Sequence, residues 1–178
     1  TTRSVEWTTC HGPAPIWMQP QLALFHASQQ MVRVASKTLR RIIRDVLRGN
    51  KLLAVAPGEA NHPMPGDVVC LARVAAPAFL SPDAHHVLLQ GLTRARIVAA
   101  ADTAVGWGEV AGVADRQPEP STIDRSHRRQ ELMALFRGLF PHVQRDDVFQ
   151  LWGDSQMPLG TLCDLLASVL PVETAQKS

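Results

Sequence analysis

The residue types that most often carry out chemistry are present in this 178-residue chain but are not spaced to assemble a reaction centre. His85 and His86 are adjacent, and successive side chains on a strand point to opposite faces, so the pair does not converge on one ion. His62 and His142 lack a partner at helical metal spacing, and no metal site is expected. Cys10, Cys70 and Cys163 lie far apart, and an odd number without C-x-x-C spacing argues against both a disulfide framework and a zinc ribbon. Cys70 and Cys163 fall within apolar periodic segments and read as small core residues, while Cys10 beside His11 lies in the leader. Ser36, Ser81 and Ser121 stand where helix caps and turns are expected, and there is no G-x-S-x-G elbow to expose a nucleophile. A phosphate loop would end in Gly-Lys-Ser/Thr, which does not occur, and Gly106-Trp107-Gly108 lacks the third glycine of a dinucleotide fingerprint. No catalytic residue and no cofactor is therefore assigned.

Two other constellations suit binding. Arg94 and Arg96 share one face of a strand, and Arg40, Arg41, Arg44 and Arg48 stud a helix, which makes a basic patch. Little aromatic surface lies near these arginines for bases to stack on, so a solvated face outweighs RNA contact. Trp17, Trp107 and Trp152 default to the core, although an exposed Trp or Met would serve as a binding anchor.

The elements that must position these residues follow from periodicity. Ile16 to Phe25 and Met31 to Ala35 are short apolar runs interrupted by Pro20 and a polar stretch, and they predict two strands paired at a sheet edge. Ser36 caps a helix over Lys37 to Arg48, whose Leu39, Ile42, Ile43, Val46 and Leu47 recur at helical spacing before Gly49 stops it. Leu52 to Ala56 is a buried strand, followed by a Pro/Gly-rich loop from Pro57 to Gly66. Val68 to Ala76, His86 to Gln90, Leu92 to Ala101 and Trp107 to Val113 continue as strands, forming a small twisted or barrel-like sheet.

A polar, proline-bearing linker over residues 115–122 separates this β half from helices. The first helix lies within Ile123 to Phe140, with Leu132, Leu135, Phe136 and Leu139 on one face and Pro141 ending it. A short helix is expected over Arg145 to Leu151, and a last one over Pro158 to Leu170. Gly91 permits a strand connection or bulge and, at positive φ, would be intolerant of Val. Pro82-Asp83 make a hairpin turn, and Leu88, Ile97, Leu135 and Leu165 pack the halves together. Residues 1–15 are read as a poorly ordered leader.

With 46% hydrophobic residues the chain can bury a real core, and a net charge of +2 without a long like-charged block does not mark a nucleic-acid tail. No apolar run approaches the roughly 20 residues of a membrane span, and the start Thr-Thr-Arg-Ser lacks a signal peptide's apolar region. A cytoplasmic setting with no membrane partner is expected.

In order and in several strings the chain resembles the Lon protease amino-terminal, substrate-binding domain family. The carriers are Leu24-Phe25, then Gly49-Asn50-Lys51-Leu52-Leu53-Ala54-Val55, then Val69 to Val74 with Ser81-Pro82-Asp83. Val87-Leu88-Leu89-Gln90-Gly91-Leu92-Thr93-Arg94-Ala95-Arg96-Ile97 is similar to the family's Gly-x-x-Arg-x-Arg-Ile strand pair, and Leu162 to Pro171 is similar to its final helix. His26 and Met31 depart from the family's usual prolines, and Ser36-Lys37-Thr38 replaces its Glu-Pro-Arg-like string. The resemblance implies an α+β chain. Residues 16–114 would form a PUA-like twisted sheet or pseudo-barrel carrying one helix, and residues 123–178 a small helical subdomain. It also implies recognition without cleavage, because the family's ATPase and Ser-Lys protease lie on later domains.

The expected function is a non-catalytic protein-binding module for unfolded or degron-bearing polypeptides, with a protease or ATPase as associated partner. Trp17, Met18, Leu24, Phe25 and Met31 are the expected exposed binding residues, and a strand edge would add main-chain hydrogen bonds. The alternative is an RNA-binding PUA-like domain using Arg94, Arg96 and the arginine-bearing helix. A third reading is a hydrolase using Cys10-His11 or the Pro57 to Gly66 loop.

Overall fold

The computed structural model describes residues 11–19, 22–57, 63–78, 85–100, 105–114, 125–141 and 157–170. Among these residues the strands are β1 (His11–Met18), β2 (Gln29–Val34), β3 (Leu52–Ala56), β4 (Val68–Ala78), β5 (His85–Ala100) and β6 (Val105–Gly112). The helices are α1 (Lys37–Arg48), α2 (Arg125–Leu139) and α3 (Leu159–Val169). The strand order is β2-β5-β4-β3-β1-β6, and β6 bonds back to β5, so five strands close into a barrel-like sheet with β2 outside the ring. This is the α+β architecture expected, a pseudo-barrel with one helix followed by a helical part. The Pro82-Asp83 turn, the 115–122 linker and the Arg145 to Leu151 helix lie outside the described residues.

Alternation along the strands builds two cores on opposite faces of the sheet. Ile16, Met18, Leu52, Ala54, Val69 and Leu71 fill the first, together with Ala95, Ile97 and Val110. Their neighbours Trp17, Leu53, Val55, Cys70, Ala72 and Val74 fill the second, against Leu39, Ile42, Ile43 and Val46 of α1. The second core also takes Val32 and Val34 of β2, which is how a strand outside the ring is anchored. Each fully buried Ile, Leu or Val stabilises the fold by about 1.5–3 kcal/mol. Ser36 caps α1 by accepting a hydrogen bond from the Leu39 amide, worth about 1 kcal/mol.

β5 serves three neighbours. β4 runs along one edge of it, while β2 pairs with residues 85–90 and β6 with residues 95–100. In place of the two separate strands expected on either side of Gly91, one strand runs through an irregularity in which Ala72 faces Gly91 and Leu71 faces Thr93. The extra residue flips the parity. Val87 and Leu89 face the α1 side, whereas Ala95 and Ile97, also odd-numbered, face the other core.

Several expectations are corrected. β1 and β2 do not pair: β1 lies between β3, parallel to it, and antiparallel β6, and β2 is bonded to β5. Their apolar residues are joined through the core rather than through a ladder. Residues 11–15, assigned to the leader, are the first half of β1, fixed by pairing from His11 opposite Ala111. On α2 the buried residues are Met133 and Phe136, while Leu135 and Leu139 are exposed. α2 has more apolar residues than one face can hold, and the face packed on Leu162 and Leu166 of α3 carries Leu132, Met133, Phe136 and the following Phe140. Leu135 therefore does not join the two halves.

Candidate peptide-binding face

β2 is an edge strand. Among the described residues it is bonded to β5 alone, leaving its other backbone edge unpaired by a strand. Along β2 exposure alternates: Gln29, Met31 and Arg33 are exposed, while Val32 and Val34 are buried against α1. The register sets Gln29 opposite Gln90, Met31 opposite Leu88 and Arg33 opposite His86, so these six share the outward face of the β2–β5 pair. Met31, 57% exposed, and half-buried Leu88 make an apolar centre flanked by amides on one side and by His86 and Arg33 on the other.

The approach to β2 is held by a tight local network. The Phe25 amide donates to Ser28 Oγ at 3.0 Å, and that hydroxyl donates back to the Phe25 carbonyl at 2.8 Å. Ala27 adopts a left-handed φ of 62°, and its amide donates to the Gly91 carbonyl while the Gly91 amide donates to the Ser28 carbonyl. Gln30 Nε2 donates to the Ala23 carbonyl at 3.0 Å. The turn thus docks on β5 at the bulge, between the stretches that pair with β2 and β6. A Cβ on Gly91 would overlap the Phe25 carbonyl, so glycine is needed here for close approach rather than for the expected positive φ.

The five residues expected as exposed anchors separate. Trp17, Met18 and Leu24 are buried, Trp17 and Leu24 in the α1-side core and Met18 in the barrel core, and are corrected to packing residues. β1 is central in the sheet, between β3 and β6, and from Ala14 on its two faces lie in the two cores, Trp17 on the α1 side and Ala14, Ile16 and Met18 in the barrel. Phe25 is half-buried and Met31 exposed. Leu88, expected to pack the two halves together, lies instead on this outward face, joined by His86, which the sequence offers only as a metal ligand, and by Gln29 and Gln90. The signal for the four is the alternation in Gln-Gln-Met-Val-Arg-Val set against that in His-His-Val-Leu-Leu-Gln. Of the tryptophans, Trp107 is 53% exposed on β6 and Trp152 lies outside the described residues.

The chemistry-bearing residues are accounted for differently. Cys70 is in the core, and burial pushes its thiol up to about 12. Cys163, expected in the core, is exposed on α3, because the inward positions of that helix are Leu162 and Leu166. Cys10, His62 and His142 lie outside the described residues, and His11 Nδ1 lies 3.3 Å from Glu109. No group of three or more metal-ligating side chains occurs among the described residues. Arg94 Nη2 bonds Asp164 of α3 at 2.6 Å, and Arg96 Nη1 donates to the Gly66 carbonyl at 2.9 Å, so both arginines make contacts within the fold. No helix of the described residues is long and apolar enough to cross a membrane.

No protein-family model matches the chain, and no curated protein matches it. Solved structures do. One is the N-terminal domain of a Mycobacterium avium complex Lon protease, with a TM-score of 0.69 at 17% identity, over 93% of this chain and 87% of that one. Another is a Lon N-terminal domain protein from Xanthomonas campestris, with a TM-score of 0.56 at 16% identity and the same coverage. The chain has the fold of Lon N-terminal domains.

Proposed function

We propose that this chain is a non-catalytic recognition module that binds unfolded or degron-bearing polypeptide along the β2 edge. The observation that supports the reading most is the pairing of a Lon N-terminal fold with an edge strand whose outward face centres on Met31 and Leu88. An extended segment added to β2 would gain main-chain hydrogen bonds that do not depend on its sequence, while the flexible thioether of Met31 adapts to varied side chains. Phe25 borders the same strand and adds apolar surface. In this reading the module works in the cytoplasm within or beside an ATP-dependent protease, which supplies unfolding and cleavage. Hydrogen exchange tests the edge: binding of a permanently unfolded client should slow exchange of amides in Gln29–Val34, and protection confined to other strands would reject β2 as the binding edge.

A further inference from the structure

The charge of the chain is unevenly placed. Arg33, Lys37, Arg40, Arg41, Arg44, Arg48 and Lys51 lie within one stretch whose sole acid is Asp45, whereas the whole chain has 18 basic and 16 acidic residues. That stretch therefore carries seven cations less one anion, +6, and the remainder eleven cations less fifteen anions, −4. On α1, Lys37, Arg41, Arg44 and Arg48 recur at four- and three-residue steps, so they form one stripe, and all four are exposed. The stripe spans about 16 Å at 1.5 Å rise per residue. The opposite face of the helix is the buried one, with Leu39, Ile42, Ile43 and Val46 holding it on the sheet.

Within α1 the one acid is exposed Asp45, four residues after Arg41 and three before Arg48, set against the five cations Lys37, Arg40, Arg41, Arg44 and Arg48, so the repulsion is offset only in part. The first turn has no acidic residue, and Lys37 stands there, at the positive end of the helix dipole. Lys37 and Arg41, and Arg44 and Arg48, are like-charged neighbours one turn apart, a placement that weakens a helix. None of the four makes an ion pair among the described residues. Arg40 is turned aside from the stripe, donating to the Ala35 carbonyl at 3.1 Å. A solvent-facing cationic stripe on a packed helix has the charge and fixed spacing that suit an anionic partner.

We propose that the outer face of α1 docks an acidic segment of a partner polypeptide, with Lys37, Arg41, Arg44 and Arg48 paired to its carboxylates. This deepens the recognition reading, on which it rests, by assigning a second surface and a partner chemistry distinct from the apolar β2 face. A polypeptide fits better than a nucleic acid because Gln29 to Ala56 contains no aromatic residue on which a base could stack. Carboxylates about 7 Å apart, at alternate residues of an extended chain, would span the stripe in about five residues.

The test is fluorescence anisotropy with the full chain and three labelled probes: a short Glu/Ser peptide, its Gln/Ser counterpart and a dT oligonucleotide of matching charge. The Glu/Ser peptide should bind and weaken as salt rises, and the Gln/Ser peptide should not bind. The triple variant Arg41→Gln, Arg44→Gln, Arg48→Gln should lose at least about tenfold in affinity for the acidic peptide. Its Tm at low salt should equal or exceed that of the parent, which separates lost binding from lost folding. Equal binding by parent and variant would overturn the proposal, as would tighter binding of the oligonucleotide than of the peptide. An unfolded, uncharged client serves as the parallel probe for β2. If it binds while the acidic peptide does not, the α1 proposal fails alone; if the acidic peptide binds while the client does not, the β2 reading fails and the α1 site stands.

Discussion

Arg94 of β5 and Asp164 of α3 meet at 2.6 Å, joining a strand of the barrel to a helix seventy residues later in the chain. The carboxylate end is buried and the guanidinium partly open to solvent, so the pair ties the helical part to the β part rather than standing as an isolated surface contact. Arg94→Ala should lower stability by about 1–3 kcal/mol, the range for losing a hydrogen bond to a buried charged group. Arg96→Ala, which removes an exposed bond to the Gly66 carbonyl, should cost about 1 kcal/mol or less. Equal shifts in urea midpoint for the two variants would contradict this division.

Gly91 and Gly138 should respond to alanine in opposite directions. A Cβ at Gly91 collides with the Phe25 backbone, and backbone cannot yield as a flexible side chain can. Gly91→Ala should destabilise by about 3 kcal/mol or more, with loss of the Phe25–Ser28 turn. Gly138 lies in α2 with nothing within 4 Å of the place an alanine methyl would occupy, so Gly138→Ala should raise stability by up to about 1 kcal/mol. Chemical denaturation of both variants reads the contrast directly.

The two described cysteines should differ in reactivity. Cys70 is buried and its thiol is raised to about 12, first by burial and then by the charge of Asp164, so at neutral pH it is protonated and shielded. In a Cys10→Ser background, a thiol reagent should modify exposed Cys163 in the native protein and Cys70 after unfolding. The raised value also sets a pH dependence. A thiol that ionises at about 12 when folded, against 9.0 ordinarily, contributes its full stability below pH 9.0 and loses it as pH rises towards 12. Cys70→Ala should flatten that alkaline decline.

Trp17 and Met31 separate folding from binding. Trp17 is 5% exposed in the α1-side core, so Trp17→Ala should cost about 3–5 kcal/mol and reports on stability. Met31→Asp places a charge on an exposed position and should leave Tm within a few degrees, a shift that corresponds to less than about 1 kcal/mol. A collapse of Tm in Met31→Asp would show that Met31 is a packing residue after all.

Local signals were legible where one physical cue dominates. The Ser36 cap, the apolar face of α1 and Gly49 defined that helix to the residue, and Leu52–Ala56 was readable as a buried run. Long-range relationships were not legible in the same way. Both apolar strands near the start look alike in composition, yet β1 is buried between two neighbours and β2 is an edge, a difference set by pairing partners rather than by either segment. The site residues differ from expectation for the same reason. Whether apolar Trp17, Met18 and Leu24 face solvent or core is not written in their own segment; the two cores take them in, and Leu88 becomes part of the face because the register brings it opposite Met31. On α2 the pattern contains two candidate faces, and packing against α3 selects Met133 and Phe136 over Leu135 and Leu139.

The central claim is that unfolded polypeptide binds on β2, and a titration of a labelled, permanently unfolded client tests it most directly. The account predicts saturable binding by the parent chain, with Met31→Asp weakening it at least about tenfold, or about 1.4 kcal/mol. It also predicts that Arg94→Ala leaves that affinity unchanged. Absence of client binding by the folded parent, or identical affinity in folded Met31→Asp, would contradict it.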